Sequence, residues 1–159
     1  VEPLSRMEAS LGSYYFDHGY MRLRMQSYDR YYFTDLDSIF IVSDEDVLVD
    51  PRGERFAIPS GYKLISYSDG ILLLEKDGLY GYMNTSGVWI REPDMEDAKP
   101  FFEGVAVCKN REGTYGVIGT DGKVIIPFDY SYISNMSSGT MLAYSDTYGW
   151  KIYQKMTIN

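Results

Sequence analysis

Apolar positions in this chain fall in short β-rich runs broken at glycines. After Gly104 stands Val105-Ala106-Val107-Cys108-Lys109, followed by a polar break from Asn110 to Gly113. Next come Tyr115-Gly116-Val117-Ile118, a turn at Thr120-Asp121-Gly122, and Lys123-Val124-Ile125-Ile126 up to Pro127. Runs of this kind between Asp-Gly and Asn/Gly breaks predict β-hairpins. Asp50-Pro51-Arg52-Gly53 carries the chemistry of a type I turn, with the glycine free to take a positive φ. Lys76-Asp77-Gly78 reads as the equivalent turn one strand earlier. Proline donates nothing to a ladder, so Pro93 and Pro127 are expected to close their strands. The unit therefore reads as a three-stranded antiparallel meander plus a crossing segment of about ten residues.

The pattern repeats. Tyr80-Gly81-Tyr82, Tyr115-Gly116-Val117 and Tyr148-Gly149-Trp150 share an aromatic-glycine-apolar phrase, spaced 35 and 33 residues apart by glycine number. Gly87 and Gly122 each follow the strand glycine by six residues, and Pro93 and Pro127 follow those by six and five. A second series, Gly70, Gly104 and Gly139, is 34 and 35 apart. Ahead of these glycines stand Leu64, Ala98 and Ile133, then Tyr67, Phe101 and Met136. A period in this range signals a tandem array whose units bury their apolar faces against one another. The glycine inside the second strand recurs despite its local entropic cost. It is expected to receive a ring from a neighbouring strand, or to mark a bulge.

The segment Tyr80-Gly81-Tyr82-Met83-Asn84-Thr85-Ser86-Gly87-Val88-Trp89-Ile90 resembles the WG-repeat family, also called the KWG repeat. So does Phe101-Phe102-Glu103-Gly104-Val105-Ala106-Val107. The resemblance runs from about Ile39 to Tyr153, with Tyr in place of the family Trp at 80, 115 and 148. The first unit departs from it, with Asp46-Val47 where the aromatic-glycine belongs. The resemblance implies a bacterial, often exported β-repeat protein, and it implies no reaction.

The expected fold is all-β: three-stranded antiparallel meanders stacked as an open β superhelix, with a small propeller-like ring as the alternative. One domain of 159 residues is expected. Residues 1–37 would form an N-terminal helix and extra hairpin, and 38–69, 70–103, 104–138 and 139–159 the repeat units. Leu4, Met7 and Leu11 share a helical face, with Pro3 at the first turn and Gly12 at the end, so a short helix is expected there. Strands are expected over 20–25, 30–34 and 39–43. Phe16-Asp17-His18-Gly19 echoes the turn at Gly104. In the last unit the third strand looks weak, with Lys155 to Ile158 able to supply it.

A net charge of −8 argues against nucleic acid as a partner. No apolar run is long enough for a transmembrane helix. The chain begins at Val1 with no leader, so any signal or anchor is expected outside it. Export or a surface location is the expectation, carried by the resemblance.

The candidate chemistry is thin. His18 is the only histidine and Cys108 the only cysteine, so a Cys-His pair or a zinc site is hard to assemble. His18 reads as a polar turn residue and Cys108 as a buried, inert thiol. Asp44-Glu45-Asp46 reads as a hairpin tip, and Glu92, Asp94, Glu96 and Asp97 as a solvated crossing, without the spacing of a calcium loop. No catalytic residue, metal ligand or cofactor is assigned. The chain has 16 tyrosines. Those at 80, 115 and 148 are in phase and read as core, whereas Tyr14, Tyr15, Tyr20, Tyr28, Tyr31 and Tyr32 crowd the N-terminal part. Of these, Tyr28, Tyr31 and Tyr32 are the candidate binding residues, since exposed rings stack on sugars or anchor peptides. The expected function is a non-catalytic interaction or ligand-binding module for a protein, peptide or glycan. A structural spacer and a carbohydrate-active enzyme are the alternatives.

Overall fold

The computed structural model describes residues 4–11, 16–33 and 36–156, with side chains for 16–24 and 45–156. The described residues are all-β, without a helix, in antiparallel sheets of which none closes on itself. The chain divides into two compact units, Val1–Ala57 and Ile58–Asn159.

The first unit is one sheet of β1 (Leu4–Leu11), β2 (Met21–Phe33) and β3 (Leu36–Val49), in that order. Three expectations are corrected here. The N-terminal helix is a strand. Its residues also alternate, and the register pairs Leu11 with Leu23, Ala9 with Met25 and Met7 with Ser27. A ladder with a long partner outweighs the small helix propensity of eight residues. The separate strands at 20–25 and 30–34 are one strand, continuous through the polar stretch between them. Asp44-Glu45-Asp46 is not a hairpin tip but lies inside β3, opposite Gln26, Met25 and Arg24. Opposite charge holds this polar stretch in the ladder: Arg22 donates to Asp46 at 2.8 Å and Arg55 to Glu45 at 2.8 Å. Beyond β3, Gly53 (φ 83°) donates to the Asp50 carbonyl at 2.9 Å, closing the expected turn. The Asp50 carboxylate accepts the Glu54 and Arg52 N–H groups, which holds it below the ordinary carboxylate range.

The second unit holds three sheets in chain order. The first contains β4 (Lys63–Ser68), β5 (Ile71–Lys76), β6 (Leu79–Asn84) and β7 (Trp89–Met95). The second contains β8 (Asp97–Ala98), β9 (Val105–Lys109), β10 (Tyr115–Gly119) and β11 (Val124–Tyr130). The third contains β12 (Tyr132–Ile133), β13 (Thr140–Ser145) and β14 (Gly149–Gln154). Strand order follows the sequence in each. The unit is thus a four-stranded meander rather than a three-stranded one. The crossing segment supplies a short first strand, in which Leu64, Ala98 and Ile133 are buried. A single residue, Glu96 or Ser131, separates the last strand of one sheet from the first of the next.

The prolines do not end their strands. Pro93 and Pro127 sit inside β7 and β11 at breaks of register, after which pairing resumes at Met95 and Tyr130. A bulge takes one N–H out of the ladder, so proline is tolerated there.

The middle sheet is buried on both faces. Ala106, Cys108 and Ile118 pack with Ile71, Leu73, Tyr82 and Met95 of the first sheet. Val107, Val117, Ile126 and Tyr130 pack with Ile133, Met141 and Ala143 of the third. This explains the near-continuous apolar runs of β9 and β10, and it is the mutual burial a repeat array requires. At the core, the Tyr82 hydroxyl donates to the Lys99 carbonyl at 2.6 Å and lies 3.4 Å from Cys108 Sγ.

The turns ahead of Gly19, Gly70, Gly104 and Gly139 share one geometry. His18, Asp69, Glu103 and Ser138 have φ of 46°, 52°, 51° and 48°, each followed by a positive-φ glycine. That is the type I′ turn of a two-residue hairpin. Successive turns are tied together in the second unit. Asp69 Oδ2 accepts the Gly104 N–H at 3.0 Å, and Glu103 Oε2 accepts the Gly139 N–H at 3.0 Å. Ser138 has no carboxylate to continue the series.

Candidate functional site

The sister sheets fix the true phase of the third. Tyr80 pairs with Glu75, Tyr115 with Lys109, and Trp150 with Tyr144. Trp150, not Tyr148, therefore holds the repeat's aromatic position, and Lys151 stands where Gly81 and Gly116 stand. The expectation at Tyr148-Gly149 is out of register by two residues: Trp150 follows its partner Tyr144 by six residues, as Tyr115 follows Lys109, and Tyr148 lies in the turn before β14. Gly149 has φ 69°, unlike its supposed equivalents, and nothing lies near where its Cβ would be. Tyr148 is 60% exposed, not core.

The reason for the glycine is now visible. A Cβ on Gly81 would lie 2.7 Å from the Arg91 carbonyl oxygen and from Pro93 N, in the bulged backbone of β7. A Cβ on Gly116 would lie 2.7 Å from the Phe128 ring of β11. Both expected readings hold, a bulge at one site and a ring at the other. The covering element is the fourth strand each time. Among the described residues the third sheet lacks a fourth strand, and there the glycine is replaced by lysine. Lys155 and Met156 are outside β14, and 157–159 lie outside the described residues.

The face of the third sheet away from the core is apolar. Alternation buries Met141 and Ala143 and turns Leu142, Tyr144, Trp150 and Ile152 the other way. Register places Tyr132, Tyr144 and Trp150 in one row across the three strands. The Trp150 ring lies 5.2 Å from Tyr144 and 6.2 Å from Tyr132. Trp150 is 64% exposed and Ile152 68%. By phase, Leu142 and Ile152 correspond to Val107 and Val117, which the next sheet covers. The same row in the second sheet reads Asp97, Lys109, Tyr115, so two charged residues there become tyrosines here. That exchange, with Trp150 in place of Tyr, was the available sequence signal, and the two-residue phase error hid it.

Beside this face, β14 ends its sheet. Its register with β13 is unbroken from Thr140–Gln154 to Ser145–Gly149. Lys155 N–H donates to the Gly139 carbonyl at 2.7 Å. Alternation from that bond turns the N–H and C=O groups of Tyr153 and Lys151 inward and those of Gln154, Ile152 and Trp150 to the open edge. A groove of about 400 Å³ lies at the C-terminal end of β14, lined in part by Ile125, Ile126, Met141 and Tyr153. The Lys151 ammonium sits 4.5 Å over the Tyr148 ring.

The other candidates fall elsewhere. Tyr28, Tyr31 and Tyr32 occupy β2 opposite Ile41, Ser38 and Asp37, and their side chains lie outside the described ones. Tyr14 and Tyr15 also lie outside the described residues. His18 sits in an exposed turn against the Asp17 carboxylate. Cys108 is buried, and burial pushes its thiol up to about 11. Among the described residues no group of three or more His, Cys, Asp or Glu is placed to hold a metal.

Two consecutive segments, residues 80–112 and 115–144, match the family described as WG containing repeat. Each runs from the third strand of one sheet to the second strand of the next, so the sequence repeat straddles two sheets. No curated protein matches the chain. Among solved structures, the crystal structure of the computationally designed Ika8 protein aligns at 9% identity and a TM-score of 0.42. That alignment covers 89% of this chain and 57% of the designed one.

Proposed function

Since residues 80–112 and 115–144 are WG containing repeats, we propose that the chain is a non-catalytic interaction module acting through the outer face of its third sheet. Successive sheets of the second unit bury one another and form a stiff support, an open array. The observation that carries this reading is the exposed set Leu142, Trp150 and Ile152 with Tyr132 and Tyr144. Leu142 and Ile152 are large apolar groups at positions that the sister sheets bury, an expensive surface to leave in water, and such patches mark interaction sites. A spacer has no use for them. An exported or surface setting belongs to the same proposal, supported by the family resemblance. Cell fractionation tests it, and recovery of the whole protein from the cytoplasm would contradict it.

The interaction itself is tested on peptide and glycan arrays with the natural chain and the Trp150→Ser/Ile152→Ser variant. The expected result is binding by the natural chain that the variant loses. Equal binding by both, or none by either, overturns the assignment to this face.

A further inference from the structure

We propose that the hollow between segments 99–102 and 135–136 binds a short- to medium-chain monocarboxylic acid, its tail laid in the hollow and its carboxylate set against Lys99. The site uses none of the outer-face residues of the third sheet, so it goes beyond the interaction reading above. Three observations carry it.

The first is the shape and its cause. The hollow measures about 400 Å³, its apolar lining includes Phe102, Val105, Met136 and Met141, and its lining residues all lie between Ser68 and Met141. By phase, Met136 holds the place of Phe101, and Val117 that of Tyr82. Between the first two sheets the Phe101 ring is 1% exposed and meets Tyr82 edge-on at 4.9 Å. Between the second and third sheets a methionine and a valine stand where that ring pair stood, and Met136 is only half-buried. An apolar concavity of this size with a few polar groups is the form of a small-molecule site. Methionine also adapts its shape to what it covers.

The second is Phe102. In the sister turns the residue ahead of the left-handed position is Asp17, Ser68 or Ser137. The turn itself does not need a ring there. Asp17 and Ser137 make the same pair of backbone bonds, to Tyr20 and Thr140, that Phe102 makes to Val105. Yet the Phe102 side chain is 56% exposed at the hollow, a place where an apolar tail would cover it.

The third is charge. Lys99 is the one charged side chain among the described residues lining the hollow. Its ammonium is half exposed and 4.0 Å from the Asp97 carboxylate, a loose pair of little worth. Asn135, on the facing segment, adds an amide donor. Ser68 leaves the head group to these two, since its hydroxyl donates to the Phe101 carbonyl at 2.6 Å. The negative charge elsewhere on the chain is screened beyond about 10 Å at 0.1 M salt. The tail thus supplies affinity and the head supplies choice.

The test uses octanoate, octan-1-ol and octylamine with the 159-residue chain, followed by calorimetry and by the methionine methyl signals in NMR. Octanoate should bind with a Kd of about 1 mM or below, and about fivefold more tightly than either other probe. Hexanoate, two methylenes shorter, should bind about tenfold more weakly than octanoate. The Met136 and Met141 methyls should shift on binding, and those of Met83 and Met95, buried outside the hollow, should not.

Lys99→Met should bind octanoate and octan-1-ol alike. Phe102→Ser, which copies the sister turns, should weaken octanoate about threefold or more. Met136→Phe, which copies Phe101, should fill the hollow and abolish binding. Thermal melts check the folding of each variant, and Phe102→Ser decides alone should Met136→Phe melt early. Trp150→Ser/Ile152→Ser should leave octanoate binding unchanged, so the two sites fail separately. No binding of octanoate up to about 5 mM, or equal affinity for the three eight-carbon probes, would overturn the proposal. So would undiminished binding in Phe102→Ser, or loss of binding in Trp150→Ser/Ile152→Ser.

Discussion

The Asp69 carboxylate of one hairpin turn accepts the backbone N–H of Gly104 in the next, 3.0 Å away. Glu103 repeats the bond to Gly139. A carboxylate in a left-handed turn position therefore joins successive sheets, and charge-assisted bonds of this type are the stronger ones. Asp69→Ala and Glu103→Ala should each lower stability by about 1–3 kcal/mol in urea unfolding. Ser138→Ala, at the end of the series, should change it by less than about 0.5 kcal/mol. Equal effects at all three positions would remove the link between turns.

The strand glycines should rank by what covers them. Gly81→Ala meets backbone, which moves only with the strand, whereas Gly116→Ala meets the base of the half-buried Phe128 ring, a side chain that moves by rotation about χ1. Gly81→Ala should cost about 1–3 kcal/mol, with Gly116→Ala below it. Lys151→Ala, with no fourth strand above it, should be nearly neutral. Urea midpoints give the order directly.

Cys108 should not react with a thiol reagent until the chain unfolds. Burial raises its folded value from 9.0 to about 11, and burial also raises Tyr82 above its ordinary range. A raised folded value favours the neutral thiol in the native state. Its contribution is complete below pH 9 and is lost as pH rises toward 11. About 2–3 kcal/mol should disappear across that window, at 1.36 kcal/mol per pH unit. Cys108→Ala should flatten the decline, and the Tyr82→Phe/Cys108→Ala pair should flatten it further. An undiminished slope in the double variant would contradict the assignment.

Acrylamide should quench Trp150 far more than Trp89, which packs 5.3 Å from Tyr62. Trp150→Phe should remove most of the quenchable emission. Strong quenching that persists in that variant would mean the aromatic row is covered.

The all-β class, the repeat and the turn glycines were legible because each turn needs a positive φ at a fixed place, and glycine supplies it. Gly70, Gly104 and Gly139 thus gave the period correctly. The strand glycines gave it only twice, since the glycine follows from the strand that covers it and not from the strand that holds it. Where that cover is missing, Lys151 replaces glycine, and an unrelated Gly149 two residues earlier caught the pattern. The prolines misled for a similar reason: at Pro93 and Pro127 a bulge accommodates what a ladder would reject. Leu4, Met7 and Leu11 share a helical face while Met7, Ala9 and Leu11 alternate as in a strand, and only pairing with β2 decides between them. Asp44-Glu45-Asp46 resembled a loop until Arg22 and Arg24 appeared across from it. The aromatic row was illegible because Tyr132, Tyr144 and Trp150 come from three separate strands.

Amide exchange across β14 in the free 159-residue chain tests the central claim, that β14 is the last strand of its sheet among the described residues. The account requires alternation: slow exchange at Lys151 and Tyr153, and fast exchange at Trp150, Ile152 and Gln154. Slow exchange at all five residues would show the edge already paired and would contradict it.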